Sequence, residues 1–371
     1  MLITDELIAH AAASAPRAET DRRLPPDTAK ALIAAGFARH FVPARHGGDQ
    51  GTFTELTQAV AALGAADPAT AWCASLMASL ARMAAQLPEA GARALWETGP
   101  DTVVVGSLSP FGKAAPDGDG WRVGGRWPYI SAVDHADWAL LCATVEGGEP
   151  RVFAVPRASL TITDTWNSIG MRGTGSHTAA VHDLHSPAGF SFPRAALLTG
   201  DGPEDGAPCH TVPLEAVNGL SFAAPLLGAA EGALDQWTRY ATTKARAATL
   251  RPGAPGPGIA ALGQALARSA GETDAARLLL ERCAAVADRE GADITPAHTT
   301  RTLRDTALAV DILTGAVNRL LREGGTAGQS EDQPLQRHWR DINTSATHIA
   351  LRFDAAATAY ARPRLGITAT A

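Results

Sequence analysis

The spacing of apolar positions changes twice along this chain. Up to residue 100 they recur three and four apart, the period of a helix with one buried face. Ala31, Leu32 and Ala35 follow Leu24-Pro25-Pro26-Asp27; Phe53, Leu56, Ala59, Val60 and Leu63 make a second stripe; Trp72, Leu76 and Leu80 follow Asp67-Pro68. Proline in a first turn removes an N–H that has no helical partner anyway, so each Pro marks a helix start. Gly36 closes the first of these helices, and Leu87-Pro88-Glu89 opens another that ends near Trp96. From 101 to 205 the period drops to two and turn residues become frequent. Strands are predicted at 102–105, 121–123, 125–131, 138–145, 152–155 and 178–181, with a turn separating the second from the third. Their number and spacing fit a barrel or sandwich. From 206 to 371 the helical period returns over 221–242, 258–287, 295–322 and 335–360, enough for a four-helix bundle. Thr295-Pro296 supplies a hydroxyl cap and a first-turn Pro for the third. A Gly/Pro-rich run, 251–257, separates the first two.

A length of 371 residues suits two or three such units around ample core. A net charge of −6 excludes the clustered positive field that nucleic acid or an anionic membrane surface requires. Cys73, Cys142, Cys209 and Cys283 lack CxxC spacing and are expected as buried free thiols. No signal-peptide pattern and no uncharged apolar run of membrane-spanning length is visible, so a cytoplasmic protein is expected. His177, His182 and His185 do not make a metal site, because in a strand His177 and His182 point to opposite faces.

Three segments carry candidate chemistry. In the first, Trp127-Pro128-Tyr129-Ile130-Ser131, an aromatic strand ends on a small hydroxyl. In the second, Trp166 precedes Gly170-Met171-Arg172-Gly173-Thr174-Gly175-Ser176, whose glycines and hydroxyls offer unencumbered hydrogen-bonding groups suited to a ribityl chain or phosphate. In the third, Trp339-Arg340-Asp341 is followed by His348; on a continuous helix Asp341, Ser345 and His348 share a face. Each has a plainer alternative: a serine at an ordinary strand end, a tight strand connection with Arg172 in a structural ion pair, and a histidine packed at a subunit contact.

Together these segments resemble the acyl-CoA dehydrogenase-fold family, most closely its two-component (group D) flavin-dependent monooxygenases, across nearly the whole chain. The resemblance implies an α+β, mostly α fold: an N-terminal helical domain (1–100), a central β-barrel or sandwich domain (101–205) and a C-terminal four-helix bundle (206–371). It also implies a homotetramer. It places Ser131 beside flavin N5 with Trp127 and Tyr129 walling the ring, Ser107 and Ser109 on a strand over it, and Thr174 and Ser176 as further cofactor contacts. Arg246, with Arg251, flanks the loop that in relatives reaches a neighbouring subunit's flavin phosphate. Dehydrogenases of the family carry a Tyr-Glu-Gly segment whose Glu abstracts a proton; here Ala346-Thr347-His348-Ile349-Ala350 stands in its place. In the monooxygenases a histidine occurs there, near flavin C4a, where an imidazole serves as acid or base. The implied activity is that of an oxygenase component. Reduced FMN or FAD from a separate reductase would react with O2 as a cosubstrate to give a C4a-hydroperoxyflavin. The product would be a hydroxylated aromatic or heteroatom-containing small molecule, as in secondary metabolism. The absence of a Gly-x-Gly-x-x-Gly motif for NAD(P)H agrees with flavin supplied by a partner. Two alternatives are an FAD-dependent acyl-thioester dehydrogenase with its base elsewhere, and a family member that has lost catalysis and serves as a binding subunit. Several hydroxylases of the family carry a histidine in the helix that here includes Leu80, which implies a different substrate pocket in this chain.

Overall fold

A computed structural model describes residues 2–200, 202, 206–250 and 258–367. Five helices come first: α1 (Asp5–Asp21), α2 (Pro26–Ala34), α3 (Phe53–Ala66), α4 (Pro68–Ala84) and α5 (Glu89–Leu95). Their starts follow the sequence signals. Pro26 stands in the first turn of α2, Thr52 and Glu55 form a reciprocal capping box on α3, and the Asp67 carboxylate accepts from Thr70 N at 2.9 Å to cap α4. Asp67 lets α4 begin directly after α3, and all of α4 except Leu76 is buried. Such a helix lies between layers rather than on the surface.

The β-rich segment forms one seven-stranded sheet, ordered β5-β6-β2-β1-β3-β4-β7. Its strands are β1 (Val104–Asp117), β2 (Gly120–Ile130), β3 (Trp138–Val145), β4 (Arg151–Pro156), β5 (Thr161–Thr163), β6 (His177–Pro187) and β7 (Ser191–Pro193). The turn expected between 123 and 125 is instead a bulge inside β2, where pairing with β6 shifts register. Gly125 permits it with φ +157. A larger irregularity interrupts β1 and β3: pairing jumps from Ser107↔Leu141 to Gly112↔Ala143. Five residue steps of β1 then face two of β3, so three extra residues bow the 108–111 stretch out of the sheet.

The helical remainder comprises α6 (Ala195–Thr199), α7 (Pro208–Thr211), α8 (Leu214–Leu250), α9 (Ile259–Ala287), α10 (Pro296–Glu323), α11 (Gly325–Gly328), α12 (Pro334–Ser345) and α13 (Phe353–Arg364). Helices α8, α9, α10 and α12 pack as a bundle. Helix α8 approaches α3 closely at paired glycines, since a Cβ on Gly228 would lie 2.1 Å from Ala61 O. This contact holds α8 against α3, and α8 also packs on α4. The continuous helix expected over 335–360 is broken after Ser345. The Ser345 hydroxyl donates to Asp341 O at 2.5 Å, and the Thr347 hydroxyl donates to Thr344 O at 2.7 Å. These side chains compete with helix propagation by bonding back to carbonyls. A 3-10 turn, Ile349–Leu351, follows before α13. All four cysteines are buried free thiols, and among the described residues no helix is long and apolar enough to cross a membrane.

Candidate active site

A cavity of about 800 Å³ lies where α4, the bowed part of β1, the end of β2, the 166–176 loop, the start of α8 and the α12 break converge. Small-molecule sites fall at roughly 300–1,000 Å³. Ser131, Tyr129, Ser107, Ser109, Thr174, Ser176 and His348 all line it, so residues up to 241 positions apart in sequence come together (348 − 107).

The sheet side is built on hydrogen bonds. Ser131 is 9% exposed; its Oγ accepts from Trp72 Nε1 at 3.1 Å and lies 2.8 Å from Ser176 Oγ. Ser176 Oγ is 2.6 Å from Thr174 Oγ1, which donates to Met171 O at 2.8 Å. The loop is held by Met171 at φ 54 and by Met171 N, which donates to the buried carboxyl of Asp341. Trp166 Nε1 donates to Met171 O at 2.9 Å, and its ring meets Tyr129 edge-on with centroids 6.2 Å apart. Arg172 takes the structural alternative, standing 3.4 Å from Glu19. Tyr129 is 72% exposed at the cavity rim, turned outward by a positive φ of 63.

One expected contact is corrected. Trp127 does not wall the cavity: it is fully buried and its indole N–H donates to Cys142 O at 2.7 Å. The cause is a notch, since a Cβ on Gly112 would stand 2.1 Å from its ring and one on Gly125 3.0 Å. Arg246, expected at a neighbouring subunit's flavin, lies exposed on α8 and outside this chain's own cavity lining; Arg251 is outside the described residues.

The helical side sets one imidazole among aromatic and aliphatic faces, with Ser79, Asn218, Ser221 and Thr344 as further polar lining. His348 caps the Ile349–Leu351 turn by accepting at Nδ1 from Ala350 N at 3.3 Å. A nitrogen that accepts from an N–H carries no hydrogen, so in the neutral ring Nε2 bears it. Burial pushes the His348 pKa down to about 4, so the ring is neutral near pH 7. It lies against Phe222 with centroids 3.9 Å apart and edge-on to Trp72 at 5.8 Å. Leu76, Leu80 and Met83 extend the apolar lining along α4. Trp72 and Phe222 were expected only as helical core. Their apolar spacing carries no mark of a cavity, although the indole N–H of Trp72 is a polar handle that needs a partner.

No described residue lining the cavity is a carboxylate. The residues present fit a flavin on three counts. The lining combines exposed aromatic and apolar faces with hydroxyls. Thr344, also in the lining, holds a buried Oγ1 that no protein group satisfies. Phe111, Tyr129 and Ile349 leave large apolar surface open at the rim, at 53%, 72% and 81% exposure.

The chain is similar to known proteins along nearly its whole length. The family "acyl-CoA dehydrogenase, C-terminal domain" matches residues 220–353. The chain is 29% identical over 361 residues to a flavin-dependent monooxygenase, oxygenase subunit HsaA, of Rhodococcus jostii, covering 94% of each. Its fold matches the crystal structure of 3-HSA hydroxylase from Rhodococcus sp. RHA1 with a TM-score of 0.91, at 26% identity over 99% of this chain and 97% of that one. XiaF from Streptomyces sp., solved in complex with FADH2 and glycerol, matches with a TM-score of 0.87 at 26% identity over 98% and 96%. The chain has an acyl-CoA dehydrogenase-like fold and is similar, along nearly its whole length, to oxygenase subunits of two-component flavin-dependent monooxygenases.

Proposed function

We propose that this protein is the oxygenase component of a two-component flavin-dependent monooxygenase that hydroxylates an aromatic or heteroatom-containing small molecule. The carrying observation is one cavity with an ordered hydroxyl row on one side, a desolvated neutral imidazole on the other and no carboxylate among its described lining residues. When bound, a reduced flavin supplies two electrons to O2 and passes one oxygen atom to the substrate. Every other part falls to the chain. Tyr129 and Trp166 flank the ring at the rim, Ser131 meets its edge, and Ser107, Ser109, Thr174 and Ser176 supply further polar contacts. Trp72, Leu76, Leu80 and Phe222 exclude water, which protects reactive oxygen species from hydrolytic loss. His348, neutral with hydrogen on Nε2, donates a hydrogen bond to an oxygen of substrate or cosubstrate. That narrows the acid or base expected of it to a donor, since Nδ1 is engaged by Ala350.

The dehydrogenase alternative needs a carboxylate to take a proton from an acyl chain, and the lining offers none among the described residues. Leu80 makes the α4 end of the cavity apolar, favouring a substrate without a charged group there. A separate reductase, a homotetrameric assembly and a cytoplasmic location complete the proposal. The test is to mix anaerobically reduced FMN or FAD with the protein, add a panel of phenols and ¹⁸O2, and follow label into product. Flavin-dependent incorporation of one labelled atom supports the reading. Acyl-thioester oxidation without O2, or no binding of either flavin, overturns it.

A further inference from the structure

The cavity is elongated, and its two ends differ in chemistry. Helices α4 and α8 line it running in opposite directions. Trp72 meets Phe222 with ring centroids 5.0 Å apart, and the Ser79 and Ser221 hydroxyls stand 2.9 Å apart. Further along α4, Arg82 donates to Cys209 O and Val212 O, just ahead of α8. One end therefore holds His348 against Phe222, and the other holds Met83 and Leu214. Leu214 precedes Phe222 by about two helical turns, which sets the ends about 12 Å apart.

The far end carries a lone guanidinium. Arg194 links β7 to α6, and its backbone N–H donates to Pro150 O at 2.9 Å. Helix α6 packs on α8, and its Leu197 shares an apolar cluster with Met83 and Leu214, which puts Arg194 at that end. Among the described lining residues Arg194 is the one Arg or Lys, and none is a carboxylate. Its Nε is buried without a hydrogen-bond partner. A desolvated guanidinium with no counterion is costly, and a bound carboxylate offsets that cost by accepting two parallel N–H bonds. Arg82 offers no such site, since carbonyls occupy its guanidinium and it does not line the cavity.

We propose that Arg194 receives a carboxylate at the end of the substrate remote from the oxygenated position. The proposal rests on the oxygenase reading above and narrows its substrate class to elongated aromatic acids. Leu76, Leu80 and Met83 hold the apolar body of such a molecule, so its charge lies past them and not against α4. Asn218, between the ends, offers a carboxamide that both donates and accepts. The aromatic end lies at His348. Arg194 acts on which molecule binds, not on the oxygen transfer.

The experiment compares phenols that end in a carboxylic acid, on alkyl chains of graded length, with the primary amides of the same acids. Equilibrium binding to the flavin-free protein is read first, then kcat and KM for oxygenation with reduced flavin. At one chain length the unaltered protein is expected to bind the acid roughly 10–100-fold more tightly than its amide, the worth of a hydrogen bond to a charged group. Arg194→Met should erase that preference by raising KM for the acid, and Arg194→Lys should restore part of it. An acid bound no better than its amide at any length overturns the proposal, whether or not the variants fold. So does a preference that survives in Arg194→Met. Weaker binding of FMN but not of riboflavin in Arg194→Met would assign the guanidinium to the flavin phosphate and overturn the proposal as well. An acid preference without oxygenation of any phenol leaves the anion site standing and sinks the oxygenase reading instead.

Discussion

The two sides of the cavity fix their polar groups by opposite means. On the sheet side, each hydroxyl hydrogen is assigned by the donors and acceptors at the ends of the row, so direction is settled without any change of charge. On the helical side, His348 has a single hydrogen-bond partner at 3.3 Å and aromatic neighbours, and desolvation alone holds it neutral. One side is specified by counting hydrogens and the other by exclusion of water. The difference predicts that mutations on the sheet side change which ligand is preferred, whereas mutations on the helical side change what happens to it.

The largest effect is expected where the helical side loses its imidazole. His348→Ala should lower product formation per reduced flavin by about 10²–10³-fold, the usual cost of removing a donor aimed at developing charge. Flavin affinity should stay near the original value. Product yield in single turnovers checks this, and an unchanged yield breaks the contrast between the two sides. With a pKa of about 4, His348 should also contribute no ionisation near 6.5 to the pH profile of hydroxylation.

Asp341 joins the two sides, since it stands on α12 ahead of the break and accepts from Met171 N beneath the hydroxyl row. Burial, reinforced by the nearby Asp67 carboxylate, pushes its pKa up to about 7. An unfolded aspartate titrates near ~4. Between those values the folded chain holds more protons than the unfolded one, so this group's stabilising contribution is complete below pH ~4 and lost as pH rises through about 7. Asp341→Asn keeps an acceptor for Met171 and removes the ionisation. Well above pH 7 it should be more stable than the unaltered protein by up to about 4 kcal/mol, with the advantage vanishing at acidic pH. Melting temperatures across pH 5–8 check the sign; a variant less stable at every pH would show that the carboxylate is held charged.

A smaller change is expected at the head of the row. Ser131→Ala removes the acceptor but leaves Trp72, Tyr129 and Trp166 in place. About tenfold weaker binding of reduced flavin follows from one lost hydrogen bond. A larger fraction of O2 should then appear as hydrogen peroxide instead of product. Coupling of flavin oxidation to product, measured by peroxide release, checks it.

Much of the architecture is legible in the chain because helix starts and strand alternation are local signals. Pro25-Pro26, Asp67-Pro68 and Thr295-Pro296 mark helix starts through caps and first-turn prolines that require no tertiary knowledge. The site is legible only where a motif carries it: Ser131, Thr174 and Ser176 sit in two recognisable segments that the fold brings into one cavity. Trp127 misleads because its place depends on Gly112 and Gly125, residues that look like turn glycines until their pairing across β1 and β2 is known. The break after Ser345 is hidden because helical periodicity continues across it; hydroxyls bonding back to carbonyls end the helix, and periodicity is blind to that. Trp72 and Phe222 enter the site from helical stripes that read as core, because a cavity is a property of what fails to cover them.

The smallest effect sharpens the comparison at one atom. Thr344 is the lining residue whose buried Oγ1 has no protein partner, in contrast with the fully paired row opposite. A buried hydroxyl without a partner costs roughly 1–3 kcal/mol. Thr344→Val keeps the branched shape, and so fits beside Gly170, where even a Cβ would stand 2.7 Å from Oγ1, while removing the unpaired oxygen. The free protein should gain about 1 kcal/mol, read as a higher melting temperature. If the hydroxyl waits for a bound molecule, the same variant should bind reduced flavin or substrate less tightly, so that added ligand shrinks the gain. A gain in melting temperature that persists at saturating flavin and substrate would mean that this oxygen serves neither. The helical side would then contribute to binding through its remaining polar groups, His348 and Asn218 among them, and its apolar surface.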